Sequence, residues 1–178
     1  NDADDDVTDR NRTELMNLVQ EACNGVVEMR QREGKALEED LQKHLSKIEA
    51  DLSFIKERAP EIVEDYQARL LQRVQNLFSE IGKSVNEVDL LREVALFAEK
   101  TDIAEEISRL EGHLNQYREL IAGSDDEPIG RTLDFLAQEM LRESNTIASK
   151  CLDGDTSRRI VEIKGAVDRI KEQVQNAE

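Results

Sequence analysis

The chain has 178 residues, with 40 Asp or Glu against 24 Lys or Arg and a formal net charge of −16. Aromatic residues make up only 3 % and charged residues 36 %, with no Trp and two Pro. This composition argues against a sheet protein and for long helices that each bury one stripe, and so acidic a chain excludes broad electrostatic capture of nucleic acid.

The acidity is uneven. Residues 129–178 hold 8 Lys or Arg and 9 Asp or Glu, a net of −1, which leaves 16 and 31, a net of −15, for residues 1–128. Any nucleic-acid contact must therefore come from local clusters, from bound metal or from a part of the protein outside this chain. No apolar run is long enough to cross a bilayer, and there is no signal-peptide core. Cys23 and Cys151 belong to no ligand pattern and read as free thiols of a reducing cytoplasm.

Residues 1–9 (NDADDDVTD) read as an acidic linker, and a start without Met suggests a fragment of a longer protein. From about Arg10 to Ile81 the pattern is helical, a long coiled-coil-like segment over residues 10–82. Its best series is Leu37, Leu41, Leu45, Ile48, Leu52, Ile55, Ala59, Ile62, Tyr66, Leu70, Val74, Leu77 and Ile81. That is 44 residues in 12 steps, or about 3.67 per step, the period of a nearly straight helix. Pro60 predicts a kink or break near Arg58–Pro60, because an interior proline removes a hydrogen bond and costs about 3 kcal/mol.

A C-terminal helical domain, residues 83–178, follows. Ser84 and Glu87 form a capping box for a short helix to about Lys100. Thr101 or Asp102 caps the next helix, whose core stripe is Ile103, Ile107, Leu110, Leu114, Tyr117 and Ile121. Residues 123–128 (GSDDEP) form a loop. The helix Gly130–Cys151 has an apolar side of Leu133, Leu136, Met140 and Ile147. Asp153–Gly154–Asp155 makes a turn before a last helix, about Thr156 to Gln175, with its stripe at Ile160, Ile163, Val167, Ile170 and Val174. The expectation is an all-α chain: long antiparallel or coiled-coil-like helices, then a C-terminal helical bundle. Helices this extended bury little core alone, so a homo-oligomer is expected.

Three polar stripes could carry chemistry. The first is Asp102, Glu106, Arg109, His113 and Gln116, where carboxylates and a histidine on one face suit a divalent metal or a general base. The second is Glu139, Arg142, Glu143, Thr146 and Lys150, where two carboxylates one turn apart, an arginine and a lysine can hold a metal and a phosphate. The third is Arg158, Arg159, Lys164, Arg169 and Lys171, which can touch phosphates. Each also reads as an ordinary solvated helix face. There is no Gly-rich phosphate loop, no HExxH and no nucleophile elbow. His44 lies beside the core stripe of the long helix and is a poor partner for His113 in metal-free RNA cleavage. Carboxylate-held Mg²⁺ or Mn²⁺ fits better, since hard cations prefer oxygen.

The strings EVALFAEKTDIAEEISRLEGHLNQY (Glu93–Tyr117), GRTLDFLAQEMLRESNTIASK (Gly130–Lys150) and EIKGAVDRIKEQVQNAE (Glu162–Glu178) resemble the C-terminal half of the YicC/YloC family of bacterial proteins. MRQREGKALEEDL (Met29–Leu41) resembles that family's central helical segment, and the likeness runs in order from about residue 13 to the end. The resemblance implies a metal-dependent endoribonuclease, formerly labelled stress-induced, that assembles as a ring-like homo-oligomer of hexamer size and carries an additional N-terminal domain that the chain lacks. It marks Asp102, Glu105, Glu106, Arg109 and His113, and also Asp134, Gln138, Glu139, Arg142, Glu143, Asn145, Thr146 and Lys150. Leu141 stands where the family often has Asn, and Cys151 where it often has Ser.

The resulting expectation is a divalent-metal-dependent endoribonuclease module of the cytoplasm. Glu139 and Glu143, with Glu106 or His113, hold Mg²⁺ or Mn²⁺; Glu139, Glu143 and His113 are the catalytic candidates; Arg109, Arg142 and Lys150 bind RNA phosphate. Expected partners are RNA, further copies of the chain and other RNA-decay proteins, with no membrane. The rival readings are a non-enzymatic helical scaffold, in which the same residues are inter-helix salt bridges, and an RNA-binding regulator without cleavage.

Overall fold

Helical periodicity is expressed throughout. A computed structural model describes the backbone of residues 2–81, 87–123, 129–151 and 153–176, and the side chains of 10–76, 90–123, 129–151 and 153–175. Its elements are α1 (Asp2–Ile81), α2 (Glu87–Thr101), α3 (Ala104–Ala122), α4 (Gly130–Lys150) and α5 (Gly154–Asn176). Among the described residues there is no strand, so the chain is all-α. None of the described helices is long and apolar enough to cross a membrane.

Two local expectations change. Helix α1 begins at Asp2, within the stretch read as a linker, and runs through Pro60 without a break. Pro60 is exposed. The Lys56 carbonyl, which loses its hydrogen bond there, therefore lies on a solvated face where water replaces the missing partner. The division expected at residues 82/83 is also not where the packing divides the chain. The two compact units are Asn1–Asp40 and Leu41–Glu178.

In the first unit the side chains from Arg10 onward are almost all exposed, including Leu15, Met16, Leu18, Val19, Val26, Val27 and Met29. Cys23 is a free, exposed thiol.

The second unit is a four-helix bundle closed by α1. Leu41, Leu45, Ile48, Leu52, Ile55 and Ile62 of α1 are buried, as are Ile107, Leu110, Leu114 and Tyr117 of α3. Helix α4 contributes Leu133, Leu136, Met140 and Ile147, and α5 contributes Ile160, Ile163, Val167, Ile170 and Val174. Each such large side chain removed from water contributes about 1.5–3 kcal/mol. The predicted stripes of α3, α4 and α5 are therefore the core, with Ile121 half-buried at the edge.

Ion pairs between the helices show their relative directions. Glu49 pairs with Arg118, and Lys56 with Glu111, so α1 and α3 are antiparallel. Lys47 pairs with Glu162, Asp51 with Arg159, and Arg58 with Asp153, so α1 and α5 are antiparallel too. Glu106 with Lys150 and Arg109 with Glu143 give α3 against α4, and Gln175 with Asp134 gives α5 against α4. Every neighbouring pair thus runs antiparallel, an arrangement suited to short connections.

The helix starts match their residues in part. Asp102 Oδ1 accepts the Ala104 N–H at 3.0 Å and so tops α3. Thr101 instead returns its hydroxyl to the Phe97 carbonyl, at 2.9 Å. Asp153 accepts both the N–H and the hydroxyl of Thr156, at 2.9 and 3.0 Å, so α5 starts at Gly154, earlier than the predicted turn allowed. Ser84 lies outside the described residues, as does most of the loop predicted before Pro128. Tyr66 of α1 stacks on Phe97 of α2 with ring centroids 3.7 Å apart.

Candidate metal centre

Helices α3 and α4 lie side by side with opposite directions, so residues near the middle of each meet. On α3 the half-buried His113 is one residue from the buried Leu114. On α4 the positions Glu139 and Glu143 are one turn apart and flank the buried Met140. One ligand atom from each of His113, Glu139 and Glu143 falls within 4.8 Å of the others. Among the described residues this is the group of three or more metal-ligating side chains that comes so close together.

Donors around one ion at about 2.1 Å are at most about 4.2 Å apart, so small side-chain rotations complete the shell. The donor set fits a divalent ion: two carboxylates supply charge and one imidazole supplies nitrogen. Carboxylate oxygens suit Mg²⁺ and Mn²⁺, while the nitrogen favours Mn²⁺ over Mg²⁺, which prefers an all-oxygen octahedron.

Glu143 is only 4 % exposed. A buried carboxylate needs compensation. Its cationic neighbour is Arg109, with Nη1 3.6 Å from Oε1, which is too long for a hydrogen bond. Arg109 is committed more closely to Glu105, at 2.5 Å. Arg142 sits 3.7 Å from Glu139 and is itself largely exposed. A close pair of carboxylates with only loosely held guanidinium groups is an arrangement that a cation relieves.

Glu106 and Lys150 are placed elsewhere. Glu106 is not in the three-residue group. Its Oε1 accepts the Lys150 ammonium at 2.7 Å, and the same ammonium donates to the Asp102 carbonyl at 2.9 Å. Burial pushes the Glu106 carboxyl up, but hydrogen bonding and charge from Lys150, its own backbone N–H and the Arg109 charge together hold it below the usual carboxylate value. Lys150 therefore bridges the end of α4 and the start of α3.

Two residues of the third polar stripe, Arg158 and Arg159, make ion pairs within the bundle. Arg159 donates to the buried Asp51 at 2.7 Å and lies 4.8 Å over the Phe54 ring. Arg158 pairs with Asp155 at 3.8 Å. His44 lies half-buried on α1, and the three-residue group contains no second histidine.

The outer side of α4 presents a shallow, open surface formed by Gln138, Leu141, Arg142, Asn145, Thr146 and Ser149. The spacing of these positions at three and four residues is the sequence signal of one helix face.

Residues 55–178 match the family model described as "Endoribonuclease YicC-like, C-terminal". The chain is 38 % identical over 164 residues to the "Probable endoribonuclease YicC" of Clostridioides difficile (strain 630), covering 92 % of this chain and 55 % of that protein. It is 31 % identical over 165 residues to the "Probable endoribonuclease YicC" of Haemophilus influenzae (strain ATCC 51907 / DSM 11121 / KW20 / Rd), covering 93 % of this chain and 55 % of that one. The chain thus spans about half the length of these curated relatives.

Proposed function

The chain belongs to the YicC-like endoribonuclease family, and on that premise we propose that its helical bundle cleaves RNA with a divalent ion, Mn²⁺ in preference to Mg²⁺, held by His113, Glu139 and Glu143. The observation that carries the reading is the meeting of those three ligand atoms within 4.8 Å, drawn from two helices and including a buried carboxylate. When bound, such an ion supplies an activated water near neutral pH and offsets charge on a phosphodiester.

The chain's own residues do the positioning. Glu143 and Glu139 face one another across one turn of α4, and His113 approaches from α3. Arg142 keeps most of its fork in solvent beside Glu139, free to grip a phosphate oxygen. Arg109 stands on the opposite rim beside Glu143 and can offer a second guanidinium. Lys150 and Glu106 brace the helix ends and so keep α3 and α4 in register. The near-neutral C-terminal third allows a phosphate to approach where the remainder of the chain repels it.

We assign the exposed apolar side chains of residues 15–29 to contacts between copies of the chain. Leu15, Leu18, Val19, Val26 and Val27 are each at least half exposed, more apolar surface than a lone helix keeps in water. This supports a homo-oligomer; RNA and RNA-decay proteins as further partners and the cytoplasm as the site of action are proposed from the family reading alone. The scaffold reading draws on the Arg109–Glu143 and Lys150–Glu106 pairs, which join helices without any chemistry.

Cleavage of a labelled structured RNA in EDTA, Mg²⁺ and Mn²⁺ separates the two. We expect cutting that requires metal and is lost, by about a hundredfold or more, in Glu139→Gln and Glu143→Gln while light scattering reports an unchanged mass. A doubly substituted protein that still cuts refutes the assignment. Mutants that change mass with no metal-specific effect favour the scaffold.

A further inference from the structure

We propose that Glu105 is a latch for the metal centre: it holds the Arg109 guanidinium just short of Glu143, so that a divalent ion and not the arginine takes that buried carboxylate. The inference rests on the metal-centre reading above, which supplies the ion. Glu105, Arg109 and His113 follow one another at intervals of four residues on α3 and so form one row along the helix. The row ends at the cluster, where His113 brings a ligand atom within 4.8 Å of those of Glu139 and Glu143. Arg109 stands between the two ends. Its Nη2 donates to Glu105 Oε1 at 2.5 Å, while its Nη1 lies 3.6 Å from Glu143 Oε1. The two prongs of one planar fork thus point at two carboxylates, one on its own helix and one on α4.

The unequal distances run against the simplest electrostatic expectation. The Glu143 side chain is 6 % exposed and that of Glu105 is 73 % exposed. A guanidinium is attracted more strongly to the less solvated carboxylate. Closing on Glu143 would take a shift of only about 0.7 Å from the 3.6 Å separation to reach hydrogen-bonding distance. The shorter bond to Glu105 opposes that shift, and it has the favourable orientation of an acid one turn N-terminal to its base. Glu106, the remaining carboxylate that feels the Arg109 charge, is already bound to the Lys150 ammonium at 2.7 Å.

A guanidinium that closed on Glu143 would make a charge-assisted hydrogen bond, occupy a lone pair that the ion needs and cancel the charge that attracts it. Arg109 and the ion therefore compete for one carboxylate. By linkage, whatever keeps the arginine away tightens the ion. Glu105 touches neither the ion nor a substrate. It is a positioning residue that acts through Arg109.

The test is a double-mutant cycle read by metal affinity. MnCl₂ alone is titrated by isothermal calorimetry into the chain, Glu105→Gln, Arg109→Gln and the double variant, without RNA and at about 150 mM salt, where long-range surface charge is screened. Both side chains are more than half exposed, so the variants keep the fold, which circular dichroism checks. We expect Glu105→Gln to raise the Mn²⁺ dissociation constant about fivefold and Arg109→Gln to lower it about threefold. The double variant should match Arg109→Gln, because without the arginine there is nothing to latch. If Glu105→Gln costs the same factor with and without Arg109, the acid acts only through its own charge and the proposal is overturned. An unchanged constant in Glu105→Gln, or weaker binding in Arg109→Gln, overturns it too. Its failure is separable from that of the readings beneath it. Mn²⁺ binding with no coupling between the two residues removes the latch alone. The expected cycle in a chain that never cuts RNA keeps the latch and removes the nuclease. No Mn²⁺ binding in any of the four proteins removes the latch and the metal centre together.

Discussion

Glu143→Gln isolates the metal centre from the fold. Glu143 is 4 % exposed and is one of the three side chains proposed to hold the ion, so an amide there would remove a full negative charge from that group while keeping the side chain's volume. In EDTA the variant should match the unsubstituted protein to within about 1 kcal/mol, because Arg109, freed from a 3.6 Å contact, keeps Glu105 at 2.5 Å. With Mn²⁺ at a hundred times its dissociation constant, binding stabilises the folded state by about 2.7 kcal/mol. For a domain of this size that raises the unfolding midpoint by about 5–10 °C. Differential scanning calorimetry with and without 1 mM Mn²⁺ should show that rise in the unsubstituted chain and less than about 2 °C in Glu143→Gln. Mg²⁺ should give a smaller rise than Mn²⁺ because His113 contributes nitrogen. A full Mn²⁺ shift retained by Glu143→Gln, or none in the unsubstituted chain, refutes the centre.

Further outcomes follow from the packing. Arg159→Ala strands the buried Asp51 carboxylate, whose Oδ2 already lacks a partner, and should cost about 2–3 kcal/mol in urea unfolding; adding Asp51→Leu should recover part of the loss, and no recovery would point to lost Phe54 stacking instead. Ile48→Ala in α1 should cost about 2–5 kcal/mol, since Ile48 is fully buried; a near-neutral result would deny α1 its place in the bundle. Glu106 sets an acid limb. Its folded carboxyl lies below the reference value of 4.5, so the unfolded chain binds more protons between the two values. The stability it contributes is complete above about pH 4.5 and is lost as the pH falls through the depressed folded value. Glu106→Gln should therefore lower stability at pH 7 and flatten the acid limb of a stability–pH curve, and an unchanged limb would remove the Lys150 clamp from the account.

Much of the secondary structure was legible because helical periodicity is a local property. The stripes from Ile103 to Tyr117, Leu133 to Ile147 and Ile160 to Val174 repeat at three and four residues, and each is buried as that spacing requires. Asp102 was legible as a helix start for the same reason, since a short carboxylate reaches a backbone N–H two residues on. At Pro60 the helix continues where a break was one expectation, because the cost of the proline depends on whether water can reach the stranded carbonyl, and exposure is not written in the residue itself.

What the stripes face belongs to the tertiary structure. The run from Leu41 to Ile62 looked like part of a separate coiled coil, because a periodic apolar face does not name its partner; packing makes it the fourth wall of the C-terminal bundle. Glu139 and Glu143 share a turn by sequence alone, but His113 joins them only because α3 and α4 run antiparallel at that register. The same register brings the Lys150 ammonium to 2.7 Å from Glu106. The sequence by itself determined the helices and their apolar faces, through interactions within a few residues. Which polar residues meet in a site, and which are spent holding it in place, was decided by contacts between residues tens of positions apart.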